Sequence, residues 1–176
     1  MRLIKQLLIG FTGISIVLFL LSFPLPSTVN VSKSILVNLP KDTVLASLLD
    51  LHAWKYWNPL LQDSNTTYSF ETNREVQWTT HNNKINRITL SPLSSDSIYA
   101  FITTDNEQAF ESGFSVVQNT GENDFVKIDW WIHEDLGWLP WNKFYGLFTE
   151  SLKEEYLENS LQVLKQYLEK TYLPLQ

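Results

Sequence analysis

The ten residues Asp50-Leu51-His52-Ala53-Trp54-Lys55-Tyr56-Trp57-Asn58-Pro59 (DLHAWKYWNP) place three aromatic rings within four positions and then end at a proline. Large rings are usually packed in a core, whereas Asn-Pro is typical of a helix end or a turn near the surface. A segment with both features must bury its rings while its backbone stays near the surface. We expect it to form one wall or lid of an internal cavity.

Regular elements are predicted on both sides of this stretch. Before it, residues 32–38 are predicted as a strand, and residues 40–49 as a helix with apolar residues at helical spacing. After it, from residue 67 to about 134, apolar and polar residues alternate in runs separated by short polar turns. Runs of this kind predict an antiparallel meander.

The last part of the chain is predicted to be an amphipathic helix from about Glu150 to Tyr172. Its apolar side is formed by residues at helical spacing, namely Leu157, Leu161, Leu164 and Leu168. On the polar side, Lys165 and Glu169 are spaced to pair across one turn. An apolar side this wide must be buried against a large partner, and the sheet is the partner available.

The N-terminal segment is long and apolar enough to span a bilayer. Leu7–Phe23 is an uncharged run of 17 residues, and extended to Leu25 it approaches the roughly 20 residues that a spanning helix needs. Arg2 and Lys5 precede the run, so the positive-inside rule predicts a cytoplasmic N-terminus with the rest of the chain outside, periplasmic or extracellular.

A cleaved signal peptide is the alternative interpretation of this segment. No A-x-A-like cleavage site follows the apolar run, and the chain has no cysteine for a lipoprotein anchor. We therefore expect an uncleaved signal anchor over residues 1–25, a linker over 26–31 and one globular domain over 32–176.

Composition excludes some classes of partner. The 176 residues, 44% of them hydrophobic, fit one well-packed domain. From Lys33 onward the chain has 11 basic and 19 acidic residues, a net charge of −8, with no cluster of lysine and arginine. Nucleic acid is therefore not an expected partner, and membrane contact must come from the anchor or from apolar residues.

Two motifs together resemble a known superfamily. The strand Val31–Asn38 leads through Leu39-Pro40 to Leu49-Asp50-Leu51 and then to Trp54 and Trp57-Asn58-Pro59. This order is similar to the strand, N-x-P turn and L-x-D-L…W-x-x-W-N-P signature of the START-like (SRPBCC) proteins, which include polyketide cyclases/dehydrases and lipid-transport proteins. Leu157–Lys165 resembles the closing-helix pattern F-E-x-G-L-x-x-L-K of that superfamily, with Ser160 where glycine is usual.

The resemblance implies an α+β helix-grip fold, in which a curved antiparallel sheet wraps around the long C-terminal helix and leaves a hydrophobic cavity between them. It implies binding of a hydrophobic small molecule or lipid in that cavity, for transport or sensing. The residues expected to line the cavity are Trp54, Trp57, Trp78, Phe110, Phe114, Trp130, Leu157, Leu161 and Leu164.

The segment between the last strand and the C-terminal helix is also rich in aromatic residues. Trp138, Trp141 and Phe144, together with glycines and a proline, are consistent with a gate over the cavity. Three alternatives stay open: a loop packed on the helix end, a segment at the bilayer interface, and a site for a protein partner around the two tryptophans.

Catalytic and metal-binding motifs are absent from the sequence. His133-Glu134 begins like a zinc-protease motif, but Gly137 occupies the position of the second histidine. No phosphate-binding loop, dinucleotide fingerprint or nucleophile elbow occurs. We expect no catalytic residue, metal or cofactor. The alternative is a cyclase or dehydratase, which would place a carboxylate or histidine of perturbed pKa inside the cavity.

Overall fold

The computed structural model describes residues 2–80, 82–105, 107–118 and 125–173. The helices are α1 (Arg2–Ser22), α2 (Lys41–Leu48), α3 (Leu51–Trp54) and α4 (Pro140–Tyr172), with a 3-10 turn at Pro59–Leu61. The strands are β1 (Thr28–Val37), β2 (Tyr68–Thr72), β3 (Glu75–Thr79), β4 (Ile85–Pro92), β5 (Ser97–Thr104), β6 (Glu107–Gln118) and β7 (Val126–Asp135).

The strands form a seven-stranded antiparallel sheet in the order β1-β7-β6-β5-β4-β3-β2. β2 to β7 follow one another as a meander, and β1 pairs with the last strand, Thr28 opposite Asp135 and Val37 opposite Val126. The predicted α+β fold with an antiparallel sheet and a long C-terminal helix is confirmed. β1 begins at Thr28, earlier than the strand predicted from residue 32, because Val29 is already buried on the inner side of the sheet.

The core lies between the concave side of the sheet and one side of α4. The predicted stripe of leucines on α4 is buried there: Leu157, Leu161, Leu164 and Leu168. The predicted pair of Lys165 and Glu169 is present, with a distance of 3.8 Å from Nζ to Oε1. The leucine stripe therefore packs α4 against the concave side of the sheet.

α4 begins at Pro140, ten residues before the predicted start at Glu150. Proline is well suited to the first turn of a helix, because it lacks only a backbone N–H that has no partner there. Gly146, one of the glycines in the predicted gate segment, packs closely within the helix: a Cβ at this position would overlap Cδ1 of Leu136 and lie 3.3 Å from Cγ2 of Val29. The glycine lets the helix approach β1.

Within α1, the 19 residues Ile4–Ser22 form a segment that could cross a membrane, judged by its length and apolar composition. Its C-terminal end is held beside the start of α4. The rings of Phe19 and Trp138 lie 6.1 Å apart, and Nζ of Lys143 donates to the carbonyl oxygens of Ser22 (3.5 Å) and Leu25 (3.2 Å). Lys143 thus binds carbonyl groups at and just after the end of α1, where cationic side chains are favourable.

Candidate functional site

The stretch of residues 50–59 forms α3 and the 3-10 turn, and each begins with a capping side chain. The carboxylate of Asp50 accepts a hydrogen bond from the His52 backbone N–H (3.0 Å), and Oδ1 of Asn58 accepts one from the Leu60 N–H (3.0 Å). Such caps satisfy backbone donors that begin a helical turn. Two tight turns therefore follow each other, and Trp54 and Trp57, three residues apart, both point into the core.

Tyr56, between the two tryptophans, points the other way. Its ring is 67% exposed and stacks on Tyr167 of α4, with ring centroids 5.4 Å apart. The three aromatic residues of the motif thus have two roles. The tryptophans fill the core, and the tyrosine attaches the outside of the motif to the C-terminal half of α4.

Five aromatic side chains from four parts of the chain form what we call the ring cluster: Trp54, Trp57, Phe114, Trp130 and Tyr156. Neighbouring centroids are 5.1 Å apart for Trp54 and Trp57, 5.6 Å for Trp57 and Trp130, and 5.5 Å for Trp130 and Tyr156. Phe114 lies 5.0 Å from Trp130. Aromatic pairs in tilted or edge-to-face arrangements at these distances add about 0.5–1.5 kcal/mol each beyond the burial of their surface.

Most of the residues predicted to line a cavity lie in this packed core. Trp54, Trp57, Phe114 and Trp130 contact one another in the ring cluster, and Leu157, Leu161 and Leu164 are buried from the helix side. Phe110 is half-buried and packs against the edge of the same core. In this structure the rings fill the space between sheet and helix at the level of Trp57.

Trp78, from the same predicted set, lines an open cleft. The cleft has a volume of about 300 Å³ and lies between the 3-10 turn and the ends of three strands. Its lining consists of Pro59, Leu60, Asp63, Thr66, Tyr68, Trp78, Thr80 and Asn86. The Tyr68 and Trp78 rings, 5.6 Å apart, form an aromatic wall.

Tyr68 fixes one side of the cleft. Its hydroxyl donates to the Leu60 carbonyl oxygen (3.2 Å) and accepts from the Asp63 backbone N–H (3.2 Å). Burial raises the pKa of the Tyr68 phenol above its ordinary value. The cleft therefore has aromatic and aliphatic walls with polar groups around them, the usual composition of a small-molecule site.

The interior beside the ring cluster contains polar groups as well. The Tyr156 hydroxyl donates to Oδ1 of Asn58 at 2.9 Å, and burial raises the pKa of this phenol far above its ordinary value. Asn58 is fully buried. Among the residues that the structure describes, Nδ2 of Asn58 and Nε1 of Trp57 find no hydrogen-bond partner. Leaving a buried donor unpaired costs about 1–3 kcal/mol.

Two ion pairs lie on the outer side of the sheet. Lys127 and Asp129 form an ion pair of 2.7 Å on the outer side of β7, and Ile128 between them is buried. In the second pair, Nε of Arg87 on β4 lies 3.6 Å from Oε1 of Glu75 on β3. In the described part of the chain, no three histidine, aspartate or glutamate side chains come together as a metal site. His81 lies outside the described residues.

The residues predicted as a gate lie at the start of α4. Trp138 precedes the helix and Trp141 is in its first turn, and both are exposed, whereas Phe144 is half-buried. Because α4 begins at Pro140, two of the three are in a helix and not in a loop.

Sequence reasoning missed most of the cleft. Tyr68 and Asn86 are polar or amphipathic residues near strand ends, where alternation of apolar residues gives no signal. The sequence contained one weak indication of the hydrogen bond between Tyr156 and Asn58, namely a tyrosine among the leucines of α4. The two residues are 98 positions apart, so only the fold brings them together.

Comparison of the sequence with protein-family models finds no match, and comparison with curated proteins finds none either. Solved structures do match. A START superfamily protein from Mycobacterium smegmatis is 17% identical with a TM-score of 0.57, over 81% of this chain and 99% of that one. A protein of unknown function from Staphylococcus aureus is 9% identical with a TM-score of 0.60, over 83% of this chain and 96% of that one.

The di-domain ARO/CYC protein StfQ from the steffimycin biosynthetic pathway is also similar. It is 11% identical with a TM-score of 0.53, over 82% of this chain and 51% of StfQ, so the chain spans about half of that protein. At these identities the similarity concerns the fold and not the activity. The sheet order, the buried face of α4 and these structures agree that the chain has the START-like, helix-grip fold.

Proposed function

We propose that this chain is a membrane-anchored protein that binds a hydrophobic small molecule or lipid without catalysing a reaction, for transport or sensing. The proposal rests on the cleft beside Trp78 and Tyr68, whose volume is about 300 Å³. This volume is at the lower end of the range of about 300–1,000 Å³ for small-molecule sites. The START-like fold supports the proposal, since it is compatible with a hydrophobic ligand between sheet and helix.

The lining of the cleft indicates how such a ligand would bind. Its apolar part would lie against the Trp78 and Tyr68 rings and against Pro59 and Leu60. Asn58 directly precedes these two residues in the chain, and its Nδ2 is an unpaired donor in the described structure. An oxygen atom of the ligand would bind there. The packed ring cluster would close the inner end of this site.

The same proposal includes the anchor. α1 would span the bilayer, and Arg2 and Lys5 before it favour a cytoplasmic N-terminus. The domain would then lie outside, beginning with β1 directly after α1. Five residues separate Ser22 from Thr28, and even fully extended this connection reaches only about 20 Å. The domain is therefore held next to the membrane surface.

Photo-cross-linking tests the binding site in the full chain. The protein is reconstituted in phosphatidylcholine vesicles that contain a fatty acid with a diazirine group, irradiated and digested, and the modified peptides are identified by mass spectrometry. We expect modification of peptides that contain Leu60, Tyr68 or Trp78 in addition to α1. Modification confined to α1 and the exposed part of α4 would contradict ligand binding in the cleft.

A matched pair of variants separates the cleft from general surface attachment. Trp78→Ala removes part of the aromatic wall and should reduce modification at Leu60 and Tyr68. Phe101→Ala removes a ring that is 40% exposed on the outer side of β5 and should leave it unchanged. An equal reduction in both variants would assign the modification to nonspecific contact.

A further inference from the structure

The first half of α4 exposes four large apolar residues on one side and buries small residues on the other. Trp141, Tyr145, Phe148 and Leu152 are 60%, 60%, 74% and 64% exposed. Their spacing of four, three and four residues places them on one side of the helix. The opposite side, packed towards the sheet, contains the buried residues Pro140, Gly146 and Thr149. A helix on a water-exposed surface has the reverse arrangement, with its large apolar residues buried.

Trp138 extends this surface towards α1. Trp138 is 73% exposed, and its ring packs near the ring of Phe19 in α1. We call the surface formed by Trp138, Trp141, Tyr145, Phe148 and Leu152 the α4 stripe. Phe19 lies near the C-terminal end of the apolar span Ile4–Ser22. The α4 stripe therefore begins beside that end of the span. Tryptophan and tyrosine are enriched at this level of membrane proteins.

The distribution of charge along α4 matches a limited membrane contact. Residues 138–152 contain two charged residues, and one of these, Lys143, is bound to the end of α1. Residues 153–172, just beyond the stripe, contain seven. The net charge of −8 from Lys33 onward opposes attraction to anionic headgroups. Contact with a bilayer would therefore come from insertion of apolar side chains.

The sheet places the cleft at the same end as the α4 stripe. β1 begins and β7 ends at this end of the sheet, next to α1 and the start of α4. β4 begins there too, since Asn86 pairs with Thr104, the last residue of β5. Asn86 lines the cleft. The cleft and the α4 stripe therefore share one end of the domain.

We infer that the α4 stripe inserts into the interfacial region of the bilayer that α1 spans, so that the end of the domain with the cleft faces the lipid. The inference rests on the proposed role of α1 as an anchor. The stripe from Trp141 to Leu152 is about 16 Å long at 1.5 Å per residue. An interfacial helix buries its apolar side about 5–10 Å deep. A domain held in this way would exchange an apolar ligand with the membrane and not with water.

Site-directed spin labelling of the full chain tests this inference. The chain has no cysteine, so each single-cysteine variant takes one label. Three variants are reconstituted in phosphatidylcholine vesicles: Phe148→Cys in the α4 stripe, Ile14→Cys in α1 and Leu93→Cys, which is 74% exposed in the turn after β4. Collision rates with oxygen and with a water-soluble nickel chelate are measured for each, because their ratio rises with depth in the bilayer.

We expect the oxygen-to-nickel ratio at position 148 to lie between the low value at 93 and the high value at 14. A ratio at 148 equal to that at 93, with 14 in lipid, would overturn the inference and leave the anchor intact. A label at 148 shielded from both reagents would indicate coverage by protein and would also overturn it. An aqueous label at 14 would refute the anchor itself, and the inference with it.

Discussion

The Tyr156 hydroxyl donates a hydrogen bond to Oδ1 of Asn58 at 2.9 Å and so joins the middle of α4 to the turn that follows the two core tryptophans. The same oxygen caps the 3-10 turn by accepting from the Leu60 N–H. One side chain thus fixes both the turn at the cleft and its contact with the helix.

A double-mutant cycle measures this link. Tyr156→Phe removes one buried hydrogen bond and should lower the free energy of unfolding by about 0.5–1.5 kcal/mol. Asn58→Ala also removes the cap and leaves the phenol unpaired, so we expect about 1–3 kcal/mol. Because both changes remove the same bond, the double variant should lose less than the sum. Additive losses in chemical denaturation would show that the bond contributes nothing to stability.

Stability at high pH should depend on Tyr156. Tyrosine in an unfolded chain ionises near pH 10, and burial raises the pKa of Tyr156 in the folded protein. The stabilisation from the protonated phenol is therefore complete below about pH 10 and is lost as the pH rises through the folded pKa. The free energy of unfolding, measured by chemical denaturation from about pH 9 to 11, should fall more steeply with pH for the wild type than for Tyr156→Phe.

That comparison isolates one group. Burial also raises the pKa of Tyr68, Tyr167 and Tyr99, the last to about 12. These three tyrosines are present in both proteins, so their effects cancel in the difference. Parallel curves for the two proteins would mean that Tyr156 ionises as readily in the folded chain as in the unfolded one.

The two neighbouring aromatic residues of the motif should differ sharply in their effect on stability. Trp57 is fully buried and Tyr56 is 67% exposed. Trp57→Ala should cost about 3–5 kcal/mol through lost burial and a cavity in the ring cluster. Tyr56→Ala loses only its stack on Tyr167, about 0.5–1.5 kcal/mol. Thermal unfolding of both variants gives the comparison, and equal losses would contradict the division of roles.

The orientation of the domain can be measured with a membrane-impermeant maleimide on intact cells. Leu93→Cys on the exposed turn after β4 should be labelled without permeabilisation, because Arg2 and Lys5 favour an external domain. Gln6→Cys, before most of the apolar span, should be labelled only after permeabilisation. The opposite pattern would place the domain in the cytoplasm.

The sequence predicted the fold because its signals are local or periodic. Alternating residues such as Ile128 and Trp130 identified the inner side of β7, and the leucines of α4 identified the partner of the sheet. The start of α4 was placed too late because residues 136–146 were interpreted as a gate segment before the helix, although Gly146 lies inside it. Its close approach to Leu136 depends on a contact between distant parts of the chain.

The candidate site was less accessible to such reasoning. Aromatic content predicted that Trp54, Trp57 and Trp130 face inward, but not that they contact one another. The cleft combines the 3-10 turn with the ends of three strands, and its position follows from the register of β2 to β4. The α4 stripe was partly visible, since Trp138 and Trp141 were singled out. Tyr145, Phe148 and Leu152 extend it only because the helix begins at Pro140.

Native mass spectrometry of the full chain, released from detergent and followed by organic extraction, tests ligand binding most directly. We expect a discrete added mass that extracts as an apolar compound. It should be retained in Phe101→Ala and reduced at least about tenfold in Trp78→Ala, a change of about 1.4 kcal/mol in binding. An added mass of equal occupancy in the wild type and Trp78→Ala would mean that the lipid is bound to α1 and not in the cleft. A bare chain in every case would likewise contradict the proposed function.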